Sequence, residues 1–401
     1  MEIEIIPVKL SDNLFEEYHN ELLKLQSANY CYVTNIEVIT KLISMDMPIS
    51  NKRLAIKNVL NFLTHIDTET KVKDSTLLSL SCEVLISYFS RDHYKRYMKI
   101  LEDLEIFTNV PYDDGTFYKF TPNQKTGVSK QYRLHNSYIQ NTELCIVILE
   151  EDRAKKGFVC DLDLDPRYIK TIKDLEVNMR DAIIDEVTYC KENNLSSNNL
   201  RVRLSRLFYT RMKRFIKKGK NVERIYHSFS TLSKVSRRHL NIKMYNIDIT
   251  NSQPLILVSY LLENNLPYDA NYKIDCENGD FYNRFINDKY LVKDDTKVPL
   301  YKGIFFNFNT ISIVNKKFKE LYPLTWNSLN EIHNTNISLA QRLQNHESEL
   351  FNNLIPVKSK NYFTLFDSIY FDNINDITDL LKKIHKFFND RGVNVTTKIE
   401  Y

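Results

Sequence analysis

Apolar and polar residues alternate over Tyr245–Ile249, and this alternation predicts a β-strand with one buried face. The strand carries a single carboxylate, Asp248, and ends in the polar stretch Thr250–Gln253. The apolar run Leu255–Leu262 then predicts a buried helix, with Pro254 tolerated in its first turn. A strand that presents an Asp and leads into a helix is one way to hold a metal ion, although most such Asp residues cap the helix or lie in the turn.

A second carboxylate, Asp367, interrupts two short apolar stretches within Tyr362–Phe371, and this pattern predicts a β-hairpin with Asp367 at its tip. An Asp in a tight turn needs no further function, because its side chain can satisfy local backbone groups. If the two predicted strands lie side by side, however, Asp248 and Asp367 would hold two divalent ions about 4 Å apart for in-line phosphoryl transfer.

Between these segments, long side chains recur at every fourth residue: Lys293, Lys297, Tyr301 and Phe305. This spacing predicts a helix that carries all of them near one face. Taken alone, the two lysines fit a solvated helix surface equally well.

The order of Asp-bearing strand, Lys-bearing helix and Asp-bearing hairpin resembles motifs A, B and C of family A DNA polymerases and of single-subunit phage-type RNA polymerases. In this comparison motif A comprises Asp248, Ser252 and Gln253. Motif B is the predicted helix, and motif C is Phe366–Ser368. The segment Cys276–Tyr282 resembles the acidic and aromatic stretch that precedes motif B in the family. The resemblance covers roughly the second half of the chain.

The resemblance implies a right-hand polymerase core of thumb, palm and fingers that transfers nucleotides by a two-metal mechanism. Asp248, Asp367 and the main-chain carbonyl oxygen of Ile249 would hold two Mg²⁺ ions, for which Mn²⁺ could substitute. Lys297 would neutralise charge on the transferring phosphates, and Lys293 would hold the terminal phosphate. The implied partners are primer–template nucleic acid and nucleoside triphosphates.

The resemblance also bears on which sugar the site accepts. Tyr301 would stack on the incoming base. Gln253 stands where the DNA enzymes carry a Glu that blocks a ribose 2′-hydroxyl, and its similar length would fill the same space. Phe305 stands where the RNA enzymes use a Tyr hydroxyl to recognise that group. Both residues favour deoxynucleotides, although Ser368 is shared with the RNA enzymes.

Three positions depart from the pattern of the DNA enzymes. Phe366 replaces the usual His of motif C, which removes a hydrogen bond to the primer end. Ser368 replaces a Glu, and Lys293 stands where the family usually has Arg. Two acidic ligands, Asp248 and Asp367, are still in place.

Residues 71–150 have the pattern of a small nucleic-acid-binding module. The predicted elements are a helix over Thr76–Ser90, a second helix through Glu105, and strands that end at Val110 and span Thr116–Thr121 and Lys130–Leu134. Two helices followed by a β-ribbon resemble a winged helix, in which Lys125 and Lys130 would lie on the wing and contact phosphates. The same shape also serves in modules that bind other proteins.

The stretch from Arg201 to Lys220 contains nine lysines and arginines and no acidic residue. Apolar residues with helical spacing run through it, which predicts a helix with one buried and one cationic face. Such a face suits the backbone of a nucleic-acid duplex, although solvated basic faces are also common. The predicted nucleic-acid contacts here and just downstream are Arg201, Arg203, Arg206, Arg211, Arg214, Lys218, Arg224, Arg237 and Arg238.

Length and composition fit a globular protein of two or three domains, with 401 residues of which 43% are hydrophobic. We predict an α+β fold: an N-terminal mixed segment (1–70), the winged-helix-like module (71–150), a linker with basic thumb-like helices (151–240), and a palm with fingers (241–401). Six cysteines without a CxxC pair indicate reduced thiols. Neither a membrane span nor a signal peptide is expected, so we predict a protein of the bacterial host's cytoplasm without a membrane partner.

Three interpretations remain open at this point. The first is a compact family A-like DNA polymerase from a phage or mobile element. The second is a single-subunit RNA polymerase or primase on the same scaffold. The third is a non-catalytic winged-helix replication protein that only binds DNA.

Overall fold

The computed structural model describes residues 3–8, 22, 25, 30–46, 48–69, 77–111, 115, 119–120, 128–140, 143–149, 158–286, 297–306, 308, 310–333 and 338–400. The chain divides into two compact units, each built from several chain segments. The first unit comprises Met1–Phe158, Glu176–Arg214 and Thr231–Asn241. The second comprises Val159–Leu175, Phe215–Ser230 and Ile242–Tyr401. The predicted domain boundaries differ from these units, because the stretch 151–240 is divided between both.

The described elements before residue 158 form two small antiparallel sheets and the helices that cover them. In chain order they are β1 (Ile3–Val8), β2 (Tyr30–Asn35), α1 (Ile36–Ser44), α2 (Ile49–Glu69), β3 (Leu77–Ser81), α3 (Cys82–Phe89), α4 (Tyr94–Asp103), β4 (Phe107–Val110), β5 (Lys119–Phe120), β6 (Val128–Leu134), α5 (Asn136–Gln140) and β7 (Leu144–Leu149).

The first sheet has β7 between β1 and β2, and both pairs are antiparallel. Every residue of β7, Leu-Cys-Ile-Val-Ile-Leu, is buried. A strand that is covered on both faces needs apolar residues at consecutive positions rather than in alternation. This hydrophobic run therefore sets β7 at the centre of the sheet.

The second sheet has the order β3-β6-β4, with β5 added to β6. The helix predicted over Thr76–Ser90 is wrong in its first part, because Leu77–Ser81 forms β3. The helix begins only at Cys82, where the Ser81 hydroxyl accepts a 3.3 Å hydrogen bond from the Val84 amide N–H. A serine N-cap fixes where a helix begins, so the apolar residues before Ser81 are not part of the helix.

The elements between residues 158 and 241 contribute to both units. They are β8 (Phe158–Cys160), α6 (Pro166–Asp174), α7 (Met179–Glu192), α8 (Ser197–Met212), β9 (Arg214–Lys218), β10 (Ile225–His227), a 3₁₀ turn (Ser228–Thr231) and α9 (Lys234–Arg237). The basic helix predicted through Lys220 is therefore too long. Lys213 is extended, with φ −131° and ψ 112°, and β9 follows it as the middle strand of a sheet with β8 and β10.

The elements from residue 242 onward belong to the second unit. They are β11 (Tyr245–Ile249), α10 (Ser252–Glu263), α11 (Ala270–Glu277), α12 (Asn283–Ile286), α13 (Lys297–Leu300), a π-helical turn (Tyr301–Phe305), α14 (Ile313–Leu321), α15 (Pro323–His333), α16 (Leu339–Phe351), β12 (Tyr362–Leu365), β13 (Ser368–Phe371), a 3₁₀ turn (Ile374–Asp376), α17 (Ile377–Asn389) and β14 (Thr397–Glu400).

The main sheet of the second unit has the order β12-β13-β11-β14, and all neighbouring strands are antiparallel. The predicted strand β11 and the predicted β12–β13 hairpin are both confirmed. α10 follows β11 directly and packs against α11 and α16. The chain is thus a mixed α+β protein with small sheets. None of its described helices is both long and apolar enough to cross a membrane.

Candidate active site

β11 lies between β13 and β14, so Asp248 has a neighbouring residue on each side. It is in register with Ser368 on β13 and with Lys398 on β14. Directly opposed residues of antiparallel strands share a face of the sheet, so these three side chains share one face. The Ile249 amide N–H donates a 3.1 Å hydrogen bond to the main-chain carbonyl oxygen of Asp367. Asp248 therefore lies on β11, and Asp367 lies in the turn of the β12–β13 hairpin that pairs with β11.

The turn that carries Asp367 also contains Phe366, which has a positive φ of 55°. A bulky residue in this conformation is strained unless its surroundings hold it. The Arg224 guanidinium carbon lies 4.9 Å from the centre of the Phe366 ring, and the Tyr226 ring meets it edge-on at 6.2 Å. These contacts hold the ring in place and explain why an aromatic residue suits this position.

Glu347 on α16 is a buried carboxylate of the same unit, with an exposed fraction of 2%. It forms an ion pair with Arg224. It also accepts hydrogen bonds from the Ser252 hydroxyl at 3.4 Å and from the Gln253 amide at 2.8 Å. Burial raises the pKa of Glu347, and the charge and hydrogen bond of Arg224 oppose that shift most strongly. Glu347 thus ties two predicted motif A residues to Arg224.

Glu347 is not among the predicted site residues, although the helical pattern around it contains one indication of its role. The residue lies four positions after Leu343 and three before Leu350, so it falls on the buried face of α16. A charged residue on the apolar face of a helix is rare unless it is paired. Its partner Arg224 is 123 residues away in the chain, and no local pattern connects the two.

Buried polar atoms cluster at the break between β11 and α10. The Thr250 Oγ1, Asn251 Nδ2 and Gln253 Oε1 atoms have no hydrogen-bond partner among the residues that the structure describes. Asn251 is in the left-handed region, with a φ of 55°, which turns the chain from strand to helix. Such atoms are costly to bury unless a ligand, an ion or water pairs with them.

The predicted motif B helix is shorter and less regular than expected. Lys293 lies outside the described residues, and Lys297 is the first residue of α13. The helix continues as a π-helical turn over Tyr301–Phe305. Phe305 is fully buried, and its ring packs 6.1 Å from that of Phe281. The interpretation of Phe305 as a contact for the incoming sugar is therefore corrected: its ring belongs to an aromatic core.

Tyr301 lies within the electrostatic influence of two acids of this unit, Asp367 and Glu347. Its hydroxyl oxygen accepts a 3.3 Å hydrogen bond from the Tyr282 hydroxyl. The pKa of Tyr301 is raised to about 12. Burial is the main cause, and the negative charges of Asp367 and Glu347 act in the same direction, while the hydrogen bond with Tyr282 opposes them. Among the described residues, Tyr282 is thus the direct side-chain partner of the Tyr301 hydroxyl, and the two acids act on it through their charge.

The cationic face predicted on α8 is largely buried in the first unit. Arg201 is only 1% exposed, and its guanidinium lies 3.3 Å from the Asp67 carboxylate on α2. It also donates to the Tyr138 carbonyl oxygen at 2.9 Å and lies 3.9 Å from the centre of the Tyr138 ring. The Ser205 hydroxyl donates to the same Asp67 carboxylate at 3.0 Å. Arg201 is therefore corrected from a nucleic-acid contact to a core residue.

Arg211 and Arg214 require the same correction. Arg211 is 8% exposed and donates a 2.8 Å hydrogen bond to the Leu25 carbonyl oxygen. Arg214 is 4% exposed and lies 3.8 Å from the Glu176 carboxylate. Periodicity alone does not reveal the burial of these two arginines, because their acceptors, Leu25 and Glu176, come from other parts of the chain.

The remaining predicted contacts have mixed surroundings. Lys218 is exposed and pairs with Glu223. Lys130 is half-buried on β6, and Lys125 lies outside the described residues. The other predicted contacts of the first unit line one pocket: Arg203, Arg206, Arg237 and Arg238.

Within the described part of the chain, no three His, Cys, Asp or Glu side chains are grouped closely enough to hold a metal ion. A site built on Asp248 and Asp367 would thus depend on two carboxylates and on oxygen atoms from the backbone or the substrate. No protein-family model matches this chain, and no curated protein sequence matches it significantly.

Proposed function

We propose that this chain is a template-dependent nucleotidyltransferase of the family A-like DNA polymerase type, from a phage or mobile element. The observation that supports this function is that Asp248 lies on β11 and Asp367 lies in the turn of the neighbouring hairpin, where its main-chain carbonyl oxygen accepts from the Ile249 amide N–H. The Arg224–Glu347 ion pair and Tyr301 lie close to the same hairpin. Two carboxylates can hold divalent ions for phosphoryl transfer, and nearby cations can stabilise charge on the transferring phosphates.

The donor set agrees with magnesium, although it is small. Mg²⁺ is commonly bound by one or two carboxylates together with substrate phosphates and water. Asp248 and Asp367 would be the side-chain ligands, and the main-chain carbonyl oxygen of Ile249 would complete the set. In such sites the bound metal activates the attacking hydroxyl and offsets charge on the phosphates.

The chain's own residues would then position the nucleotide. Gln253, held through its amide by Glu347, would occupy the space beside the sugar and disfavour a 2′-hydroxyl. Tyr301 would present its ring to the incoming base. Lys297 at the start of α13 would offset charge on the transferring phosphates.

Primer extension is the experiment that tests this function. The purified protein is given a labelled primer on DNA or RNA templates, with Mg²⁺ and with deoxynucleotides or ribonucleotides separately. We expect extension by the unmodified protein and loss of extension in Asp248→Asn and Asp367→Asn. Asp390→Asn is the matched control, since Asp390 is an exposed residue of the same unit that pairs with Lys386. Full extension by both site variants would contradict the assignment of the site.

A second candidate function, a DNA-binding replication protein without catalysis, is favoured by the arrangement in the first unit. The order α2-β3-α3-α4-β4-β6, with a β3-β6-β4 sheet, is typical of winged-helix modules. Lys95 and Arg96 on α4, the helix that would enter a DNA groove, are exposed. DNA binding that survives in the site variants while extension is absent from every form would favour this candidate. Extension with ribonucleotides alone would favour an RNA polymerase or primase.

A further inference from the structure

A cationic pocket lies in the first unit, where α7 and α8 meet the segment Thr231–Arg238. Its volume is about 450 Å³, which exceeds the space that one phosphate group fills. We call it the arginine pocket. Five cationic side chains line it, Arg203, Arg206, Lys234, Arg237 and Arg238, together with Tyr189.

The arginine pocket brings together cations that are distant in sequence. Two come from α8, and three come from the segment that contains α9. On its inner side, Arg203 pairs with the fully buried Glu186, which also accepts hydrogen bonds from Ser233 and Ser236. One carboxylate thus fixes one wall of a pocket that is lined by five cationic side chains.

Arg206 is the cation whose surroundings are least favourable to its charge. Its Nε atom is buried and has no hydrogen-bond partner among the described residues. Burial lowers the pKa of Arg206, and the neighbouring positive charge of Arg203 acts in the same direction, although Asp67 opposes both. Cations that crowd together in a partly desolvated place favour the entry of an anion.

The shape and the side chains of the pocket favour phosphate groups over other anions. Arginine donates in a planar fork that matches two oxygen atoms of a phosphate. The Arg203 guanidinium stacks on Tyr189 with its carbon 4.4 Å from the ring centre, which fixes the direction of that fork. Lys234 and Arg238 are exposed at the rim, so that a long ligand can enter from solvent.

We propose that the arginine pocket binds backbone phosphates of a nucleic-acid strand. This inference rests on the nucleic-acid substrate of the proposed function, but not on its chemistry. Of the nucleic-acid contacts predicted along α8, only Arg203 and Arg206 are thereby kept, and both lie in the arginine pocket.

The test measures binding of a labelled primer–template by fluorescence anisotropy, without metal or nucleotide, over a series of KCl concentrations. The variant Lys234→Gln/Arg238→Gln removes two exposed cations and leaves the buried ones in place. We expect binding at about 0.1 M salt to weaken on the order of tenfold, and the slope of log K against log salt to become about 1–2 less negative. Lys213→Gln is the control, since Lys213 is exposed in the same unit but does not line the pocket.

A salt slope of the double variant equal to that of the control would overturn the proposal. A second arm titrates the proteins with ATP alone, because a free triphosphate offers the same phosphate chemistry. Loss of ATP binding with strand binding unchanged would also overturn it and would assign the pocket to a nucleotide. Since no arm depends on extension, failure of this inference is distinguishable from failure of the catalytic proposal.

Discussion

The side-chain amide of Gln253 donates a 2.8 Å hydrogen bond to the carboxylate of Glu347. The residue predicted to stand beside the sugar is therefore joined to a buried acid on α16. The two residues are 94 positions apart in the chain, so the acid that holds Gln253 comes from a distant helix.

The first prediction concerns the choice of sugar. Gln253→Gly should raise the ratio of ribonucleotide to deoxynucleotide incorporation by about tenfold or more, because it opens the space beside the 2′-carbon. The ratio is measured by primer extension with matched concentrations of each triphosphate. Ser252→Ala is the control, since it removes another donor to Glu347 without opening that space. An unchanged ratio in Gln253→Gly would show that this residue does not discriminate between sugars.

The second prediction concerns the stability of the second unit. Glu347→Ala should lower the free energy of unfolding by about 3 kcal/mol, because it removes a buried carboxylate from its ion pair with the half-buried Arg224. Glu349→Ala on the same helix should lower it by less than about 1 kcal/mol, since its contact with Arg391 is exposed. Urea denaturation measures both values. Similar losses in the two variants would contradict the structural role of Glu347.

The third prediction concerns pH. Because burial raises the pKa of Glu347 above its ordinary value in the folded protein, the folded state binds this proton more tightly than the unfolded chain does. The contribution of Glu347 to stability should therefore be greatest at low pH and decline as pH rises through the interval between the unfolded and folded pKa values. Denaturation of the unmodified protein and of Glu347→Gln at several pH values isolates this contribution. As pH rises, the unmodified protein should lose stability relative to Glu347→Gln. A gain relative to Glu347→Gln would contradict the raised pKa of Glu347.

The fourth prediction separates core arginines from nucleic-acid contacts. Arg201→Ala should destabilise the first unit by about 3–5 kcal/mol, because Asp67 would keep a buried charge without its partner. Lys213→Ala, at an exposed position, should change stability by no more than about 0.5 kcal/mol. A variant of Arg201 that folds with unchanged stability but binds nucleic acid more weakly would restore the original interpretation of α8.

Local pattern predicted the parts of the fold that depend on local chemistry. β11 follows from alternation over Tyr245–Ile249, and the β12–β13 hairpin follows from two apolar stretches around a short turn. Local pattern does not predict that the Asp248 strand lies beside the Asp367 hairpin, because the pairing of β11 with β13 joins segments about 120 residues apart.

The wrong assignment of the α8 arginines and the omission of Glu347 from the predicted site have a common physical cause. The sequence shows where charges lie along α8, but their burial depends on acceptors supplied by other elements, such as Asp67 on α2. The same holds for Glu347, whose partner Arg224 precedes it by 123 residues. Spacing can indicate that a charged residue lies on a buried face, but it does not identify a partner that is distant in the chain, so the pairs Arg201–Asp67 and Glu347–Arg224 could not be assigned from the sequence.

The division of the chain into interleaved segments has a practical consequence for dissecting the protein. A fragment that starts at Ile242 would keep the Asp248 strand and the Asp367 hairpin, but it would lose Val159–Leu175 and Phe215–Ser230. Arg224 lies in the second of these segments, so Glu347 would have no counter-charge in such a fragment. Neither unit can therefore be obtained by a single cut, and complementation between co-expressed pieces is the route to studying either one alone.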